Sequence, residues 1–314
     1  MIIAAIDVGT NTVLMLVARA ENDEPLVVLE DLHRVPRLGA GVDARKTFNP
    51  GSVARMLAVL DEYRVLSAAH APDRIVVCGT SAVRDAADRN GLIAEVRRRT
   101  GFALEVLSGE EEAFWSFQGA CSGLPCHNRL VVVDIGGGST EVILGDATGI
   151  DHRVSMDIGA VRLTERCFRH DPPLDAEIAA AGGLIDRALE AAADISPSGT
   201  QLVGVAGTST TLATLAQGLM SFSQQAVAGY LLQRMDIERL WDQLRRLPSA
   251  GIARLSDVLH GRADIILAGT LILRKVMDRY GFDAVTVSER GLRYGLVLRE
   301  LRRAAAAHEG GGGN

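Results

Sequence analysis

The chain has 314 residues, of which 47% are hydrophobic, so it is long enough for two domains with substantial cores. Its 33 basic and 39 acidic residues give a formal net charge of -6, which argues against a dominant binding surface for nucleic acid or for an acidic membrane. No apolar run reaches the roughly 18 residues of a membrane span. Sparse cysteines and a start without a leader pattern favour the cytoplasm.

An internal repeat of one short plan is the most informative pattern in the chain. Residues 2–18 predict an apolar strand, a turn that contains Asp7 and Gly9, and a second apolar strand. Residues 130–145 repeat this plan around Asp134. Each acid ends a strand, and each glycine allows the backbone to approach a ligand closely. The two hairpins therefore predict two related halves that face one cleft.

The other predicted elements alternate between strands and helices. They are a strand and turn at 72–86, a helix at roughly 85–100, a strand and an acidic helix start at 103–120, a helix near 175–194, a strand, turn and helix at 200–216, a helix at 236–247, a strand at 284–291 and a last helix to about 307. This alternation indicates an α/β fold. The hairpins need antiparallel neighbours, and GGGST lacks the GxGxxG spacing, so a purely parallel dinucleotide-binding sheet fits less well.

Seven motifs occur in a fixed order along nearly the whole chain. They are DVGTNTVLMLV, GTSAVRDAADRN, SGEEEA, DIGGGSTE, GVAGTSTTLA, GRADIILAG and SERGLRYG. In this order they resemble the exopolyphosphatase and guanosine pentaphosphate phosphohydrolase family, in its short two-domain form. The resemblance implies the actin, sugar kinase and Hsp70-like fold. In that fold two ribonuclease-H-like domains, with mixed sheets flanked by helices, surround a phosphate cleft.

The resemblance also gives domain bounds. It implies an N-terminal domain over 1–124 and a C-terminal domain over 125–291. A final helix at about 292–307 is expected to return to the first domain, and residues 308–314 are expected to be a disordered tail. One position departs from the family, because many members have a basic residue where this chain has Leu14, and leucine cannot donate to phosphate.

The DIGGGSTE motif predicts a metal site. Asp134 and Glu141 lie at the two strand ends of a tight hairpin, so both carboxylates can face one point above the turn. Mg²⁺ (or Mn²⁺) suits this pair, because it takes one or two carboxylates and keeps several waters. The alternative is a pair of solvated turn acids.

Three turns are predicted to bind phosphate through backbone N–H groups and hydroxyls. The first comprises Gly9, Thr10, Asn11 and Thr12; the second comprises Gly136, Gly137, Gly138, Ser139 and Thr140; the third comprises Gly207, Thr208 and Thr210. The alternatives are a flexible glycine-rich turn for the second and a plain helix cap for the third.

The catalytic residues are inferred from the resemblance. It implies that Glu112, the last of three consecutive glutamates, is the general base that accepts a proton from water. The two preceding glutamates fit ordinary acids of a helix start. Arg84 resembles the family's phosphate-gripping arginine, and its alternative is a surface salt bridge with Asp85 or Asp88.

Further arginines are candidates for guiding a long anionic chain. Those in family-like turns are Arg262, Arg290 and Arg293; those on predicted helices, where a solvated face is more usual, are Arg97, Arg98, Arg99, Arg245 and Arg246.

These features predict an exopolyphosphatase-type hydrolase that removes terminal phosphate from inorganic polyphosphate with water activated by Glu112. The nearest alternative is the same chemistry on guanosine pentaphosphate, an alarmone of the stringent response. More distant alternatives are an ATP-dependent sugar-kinase-like phosphotransferase and a non-hydrolytic alarmone-binding regulator. The expected partners are polyphosphate or guanosine pentaphosphate and, for a homodimer, a second copy of the chain, without nucleic acid or membrane.

Overall fold

The structure, a computed structural model, describes residues 1–20, 25–124, 129–146, 148–196 and 198–310. The chain divides into two units. The first unit comprises Met1–Gly119 together with the residues from Leu292 onward, and the second comprises Ala120–Gly291.

The first unit contains a mixed five-stranded sheet. Its strands are β1 (Ile2–Val8), β2 (Val13–Arg19), β3 (Val27–Arg34), β4 (Arg74–Gly79) and β5 (Leu104–Val106), in the order β3-β2-β1-β4-β5. The first three strands form an antiparallel meander, and β4 and β5 add parallel to it. The predicted first hairpin is therefore present.

The helices of the first unit cover both faces of this sheet. They are α1 (Val42–Arg45), α2 (Pro50–Ala68), α3 (Ser81–Asp85), α4 (Arg89–Thr100), α5 (Gly109–Cys121), whose last two residues belong to the second unit, and α13 (Leu292–Gly310). Alternation along β1 sends Ala4, Ile6 and Val8 into one cluster with α2 and α4. Ile3 and Ala5 face the other cluster, which includes residues of α13.

The second unit repeats the plan with one more strand. Its strands are β6 (Leu130–Ile135), β7 (Thr140–Asp146), β8 (Gly149–Met156), β9 (Gln201–Val205), β10 (Leu231–Gln233) and β11 (Ala284–Val287), in the order β10-β11-β9-β6-β7-β8. Strands β6, β7 and β8 form an antiparallel meander, β9 and β11 are parallel to β6, and β10 closes the edge antiparallel.

The helices of the second unit pack on this sheet around one large apolar cluster. They are α6 (Ala160–Cys167), α7 (Asp175–Leu189), α8 (Ala206–Ala216), α9 (Gln224–Val227), α10 (Arg234–Leu244), α11 (Ser249–Ile252) and α12 (Ile266–Tyr280). None of the described helices is both long and apolar enough to cross a membrane.

Some element bounds differ from the sequence predictions. The helix predicted at roughly 85–100 is present as α4 but begins at Arg89, and the turn predicted before it contains the additional short helix α3, which ends where the backbone at Ala86 is extended (φ -79°, ψ 130°). The last helix continues to Gly310, beyond the predicted end near 307. Residues 311–314, the rest of the predicted tail, lie outside the described residues.

Candidate functional site

The first predicted phosphate turn joins β1 to β2. It is closed by a 3.0 Å hydrogen bond from the Gly9 N–H to the Thr12 carbonyl. A Cβ on Gly9 would lie 2.9 Å from that carbonyl oxygen, so the turn excludes a side chain there. The Gly39 N–H donates to the Thr10 carbonyl at 2.8 Å, and the Arg37 N–H donates to the Asn11 carbonyl at 3.0 Å. The turn is therefore held by a segment that follows β3.

Asp7, Leu14 and His33 form one row across the first sheet. Asp7 lies directly opposite Leu14 in the register of β1 and β2, and Leu14 lies opposite His33 in that of β2 and β3. Side chains directly opposite each other share one face of a sheet. Leu14 thus places an apolar side chain beside the first acid, where the family pattern has a donor to phosphate.

Arg84 and Glu112 form the predicted catalytic pair within the first unit. Arg84 is on α3, and one of its guanidinium nitrogens, Nη1, donates to Glu112 Oε2 at 3.0 Å and to the Leu107 carbonyl at 3.0 Å. Glu112 is only 8% exposed at the start of α5. Arg84 therefore pairs with the predicted base, a contact that the alternative of a surface salt bridge did not include.

The three consecutive glutamates have different environments. The Glu111 carboxylate accepts the Ser108 N–H at 2.9 Å, and the Ser108 hydroxyl accepts the Glu111 N–H at 3.1 Å, which is a reciprocal helix cap. This backbone hydrogen bond from Ser108 lowers the pKa of Glu111. Glu110 is exposed. Of the three carboxylates, Glu112 is the buried one, and it faces an arginine.

The predicted metal pair lies on neighbouring strands of the second unit. Asp134 is directly opposite Glu141 in the register of β6 and β7, so their side chains lie on the same face of the sheet. Glu141 is fully buried, Asp134 is 8% exposed, and the Ser155 hydroxyl on β8 donates to Glu141 Oε1 at 2.6 Å. A hydroxyl on the next strand thus orients one of the two carboxylates.

The donor set of this pair fits a hard divalent cation. Carboxylate oxygens are the ligands that Mg²⁺ takes from proteins, usually one or two of them, with water and phosphate oxygens completing the octahedron. Across the part of the chain that the structure describes, no group of three or more His, Cys, Asp or Glu residues is placed to hold a metal. The chemistry of Asp134 and Glu141 therefore fits Mg²⁺ or Mn²⁺.

The second predicted phosphate turn connects the two strands that carry this pair. It is closed by a 3.0 Å hydrogen bond from the Gly136 N–H to the Ser139 carbonyl. Thr140 begins β7 opposite Ile135, and Ile135 belongs to the apolar cluster of this unit. Strand alternation therefore places the Thr140 side chain on the core face, whereas Asp134 and Glu141 lie on the other face. At Thr140, a phosphate would therefore contact the backbone and not the side chain.

The third predicted phosphate turn begins α8. Ala206 has a positive φ of 63°, a conformation that non-glycine residues rarely adopt. A Cβ on Gly269 of α12 would lie 2.5 Å from the Thr208 hydroxyl oxygen, so the Thr208 side chain packs against that helix. Thr210 returns its hydroxyl to the Ala206 carbonyl at 3.1 Å. The Thr210 hydroxyl is thus engaged within the helix itself.

Most of the arginines predicted to guide an anionic chain donate hydrogen bonds to groups of the protein. The Arg262 guanidinium donates to the Gly207 carbonyl and to the Thr211 hydroxyl, each at 3.0 Å, and burial lowers its pKa. The remaining partners are Asp31 for Arg293, the Ser122 carbonyl for Arg290, the Gly101 carbonyl for Arg97, Glu95 for Arg98, Asp61 for Arg99 and Asp242 for Arg245. These contacts indicate structural roles for most of the set.

Arg293 also lies close to the first hairpin. Its guanidinium makes two hydrogen bonds to the Asp31 carboxylate, at 3.0 and 2.9 Å. Burial by itself lowers the pKa of Arg293, but Asp31 and, more weakly, Asp7 raise it, and the net shift is upward. Arg293 therefore stays charged near the strand that carries Asp7.

Sequence reasoning missed two residues that contact the second turn, Gly159 and Arg162. The Arg162 side chain is buried and donates from Nε to the Gly138 carbonyl at 2.6 Å. Gly159 lies against Gly137. The signal available in the sequence was a glycine followed three residues later by an arginine, which by itself is unspecific.

Two α/β units, each with an acidic glycine-containing hairpin at the same place in its sheet, define the actin-like ATPase class of folds. Within this class, the chain belongs to the Ppx/GppA phosphatase family, which it matches over residues 16–304. The family and the fold class predicted from the sequence are confirmed, and so is a phosphatase-type enzyme.

Three known proteins illustrate the similarity. Exopolyphosphatase 2 of Mycobacterium tuberculosis is 37% identical, and the match covers 94% of this chain and 97% of that protein. The crystal structure of an exopolyphosphatase from Cytophaga hutchinsonii superposes with a TM-score of 0.90 at 28% identity, covering 96% of this chain and 98% of that one. The guanosine-5'-triphosphate,3'-diphosphate pyrophosphatase of Photobacterium profundum is 30% identical over 96% of this chain and 59% of its own length.

Proposed function

We propose that this protein is an exopolyphosphatase that releases the terminal phosphate of inorganic polyphosphate by attack of water. The observation that carries the proposal is the pairing of the buried Glu112 carboxylate with Arg84, while the adjacent Glu111 is used in a helix cap. We infer that Glu112 serves the reaction and that Glu111 serves the helix start. The names of two relatives, both exopolyphosphatases, support the choice of substrate.

In the proposed reaction, Glu112 accepts a proton from the attacking water. The water oxygen forms a bond to the terminal phosphorus, and the bond between that phosphorus and the bridging oxygen breaks. Arg84 has the charge to stabilise the terminal phosphoryl group, and its contact with the Leu107 carbonyl limits its movement. Arg84 also fixes the Glu112 carboxylate before substrate arrives.

The second unit is proposed to hold the metal and part of the phosphate chain. Asp134 and Glu141 would bind Mg²⁺, which when bound supplies positive charge to phosphate oxygens. The N–H groups of the second turn would bind oxygens of the phosphates that are not transferred. Because the protein carries a formal charge of -6, binding of a polyanion depends on such local groups.

Guanosine pentaphosphate is a second candidate substrate. The relative from Photobacterium profundum, named for a guanosine substrate, supports it, and both substrates end in a phosphoanhydride.

The scarcity of cysteine, with Cys78, Cys121 and Cys167 as free thiols, supports a cytoplasmic location for either activity.

Phosphate release from polyphosphate, guanosine pentaphosphate and ATP, measured side by side with Mg²⁺, tests the proposal. We expect kcat/KM to be highest for polyphosphate. A higher value for the pentaphosphate would select the second candidate. Transfer of phosphate from ATP to a sugar, without release to water, would instead support the sugar-kinase-like alternative.

A further inference from the structure

The second phosphate turn is held from behind by the start of α6. The Ala160 N–H donates to the Gly136 carbonyl at 2.9 Å, and the Val161 N–H donates to the Gly137 carbonyl at 2.8 Å. The first N–H groups of a helix have no partner inside the helix and need one outside it. Here two carbonyl groups of the turn accept these hydrogen bonds.

Arg162 completes this contact. Its own N–H also donates to the Gly137 carbonyl at 3.0 Å, and its side-chain Nε donates to the Gly138 carbonyl at 2.6 Å. The residue is 6% exposed, so this charged hydrogen bond lies away from water. A hydrogen bond from a charged donor is stronger than one between neutral groups. Three successive carbonyl groups of the turn therefore point toward α6.

The orientation of these carbonyls determines where the N–H groups point. In a planar trans peptide, the C=O of one residue and the N–H of the next point in opposite directions. The N–H groups of Gly137, Gly138 and Ser139 must therefore point away from α6. Among the hydrogen bonds of the described residues, these three N–H groups donate to no protein atom. Successive N–H groups with a common direction form a binding site for an anion.

Gly159 allows α6 to come this close. A Cβ at this position would lie 2.5 Å from both the C and O atoms of Gly137 and 2.6 Å from the Gly138 nitrogen. Its φ of -155° is an extended conformation that any residue adopts, so the requirement for glycine is one of space and not of backbone conformation. Any side chain here would push the turn away from the helix.

The other two predicted turns have comparable contacts within their own units. In the first turn, backbone N–H groups of Arg37 and Gly39 hold the carbonyls of Asn11 and Thr10. In the third turn, the buried Arg262 guanidinium holds the Gly207 carbonyl. All three turns thus have hydrogen-bond donors behind their carbonyl groups, and the second turn has the most of these hydrogen bonds.

We propose that Gly159 and Arg162 are positioning residues, which orient the N–H groups of the Gly136–Ser139 turn toward the oxygens of a phosphate chain. This inference rests on the proposed function for the identity of the ligand. The positive end of the α6 dipole and the Arg162 charge lie behind the turn, so both also favour an anion in front of it. Both residues act through the turn and not by contact with the substrate.

The first test compares Arg162→Met, which removes the donor at similar length, with Arg162→Lys, which keeps a charged donor. The matched control is Arg166→Met, an exposed arginine one turn later in α6. The probe is a triphosphate whose two bridging oxygens are replaced by methylene groups, so it binds without being hydrolysed. Its Kd is measured by calorimetry with Mg²⁺, beside kcat and KM for polyphosphate.

We expect Arg162→Met to raise the Kd and the KM by about 10-fold to 100-fold, as for loss of a hydrogen bond to a charged group, with a smaller fall in kcat. Arg162→Lys should recover most of the affinity, and Arg166→Met should stay within about 2-fold of wild type, because exposed substitutions change little. A folded Arg162→Met protein with wild-type Kd and KM would overturn the proposal. A loss of thermal stability that leaves Kd unchanged would do the same.

A second test needs neither activity nor ligand. Gly159→Ala is compared with Gly149→Ala, because a Cβ on Gly149 meets no atom within 4 Å. Amide hydrogen exchange of Ala160 and Val161 should be at least about 10-fold faster in Gly159→Ala and unchanged in Gly149→Ala, since those amides lose their acceptors. Equal exchange in both variants would overturn the contact between helix and turn. A wild-type protein that neither binds the probe nor releases phosphate would instead disprove the proposed function.

Discussion

At the scale of single residues, identical side chains differ in what surrounds them. Glu111 and Glu112 are adjacent in α5, but Glu111 accepts the Ser108 N–H, whereas Glu112 accepts a hydrogen bond from Arg84. Helix geometry rotates neighbours by about 100°, so one of the two faces solvent and the other faces the protein. We therefore expect Glu112 to act in the reaction and Glu111 to stabilise the start of the helix.

Glu112→Gln should abolish most turnover while keeping size and hydrogen bonding. Without the proton acceptor, kcat should fall by about 10²-fold to 10⁴-fold, the usual contribution of a general base. The control Glu111→Gln should keep its kcat, with only a small loss of stability from the weaker cap. The measurement is phosphate release from polyphosphate. Wild-type turnover in Glu112→Gln together with an inactive Glu111→Gln would reverse the assignment.

The Asp134 and Glu141 pair predicts dependence on a divalent cation. Exhaustive chelation should remove activity, and added Mg²⁺ should restore it. Asp134→Ala should raise the Mg²⁺ concentration needed for half-maximal rate by at least about 10-fold, because one of two carboxylate ligands is lost. Circular dichroism checks that the variant is folded. Full activity of the chelated wild-type enzyme would exclude the metal role.

At the scale of elements, close contacts of glycine set how helices pack and where they begin. Gly295 in α13 lies so close to α5 that an added Cβ would be 1.9 Å from the Trp115 carbonyl oxygen. In the same unit, Tyr294, Leu296 and Val297 are fully buried against the first sheet. Glycine at position 295 therefore lets the last helix reach this core.

Gly295→Ala should lower the free energy of unfolding by about 1–3 kcal/mol, the usual cost of overpacking. Gly91→Ala in α4 is the control, because no atom lies within 4 Å of its added Cβ. That change should leave stability unchanged or raise it by about 0.5–1 kcal/mol, since alanine is the better helix former. Urea unfolding measures both, and equal midpoints would contradict the close packing.

The start of α7 predicts a pH dependence of stability. The Glu177 carboxylate accepts hydrogen bonds from the His170 ring and from the N–H groups of Leu174 and Arg169, and these lower its pKa from 4.5 to about 2. Because the folded pKa is below the unfolded one, this stabilisation is present above about pH 4.5 and is lost as the pH falls toward 2. The Glu177→Gln variant should be less stable than the wild type at pH 6. Its free energy of unfolding should also depend less on pH between 4.5 and 2 than that of the wild type does. Parallel urea midpoints of the two proteins across that range would contradict this.

At the scale of the whole molecule, both units start their sheets with the same antiparallel meander and then add parallel strands. Asp7 lies one residue before the end of β1, and Asp134 lies one residue before the end of β6. The repeat of apolar strand, acid and glycine is visible in the sequence because these positions are local. The fold class, the family and the two hairpins are therefore predictable from the order of residues alone.

What the sequence by itself determined was the α/β alternation of the elements it predicted, the two acidic hairpins and the family, since periodicity, turn residues and ordered motifs are properties of neighbouring positions. It did not predict β3, α2, β8 or α6. The tertiary structure decided which side chains meet. It paired Arg84 with Glu112, placed Thr140 on the core face, directed Arg262 and Arg293 to partners inside the protein, and brought Gly159 and Arg162 behind the second turn. These contacts join residues distant in the chain, and burial together with hydrogen bonding selects them only when the whole unit packs.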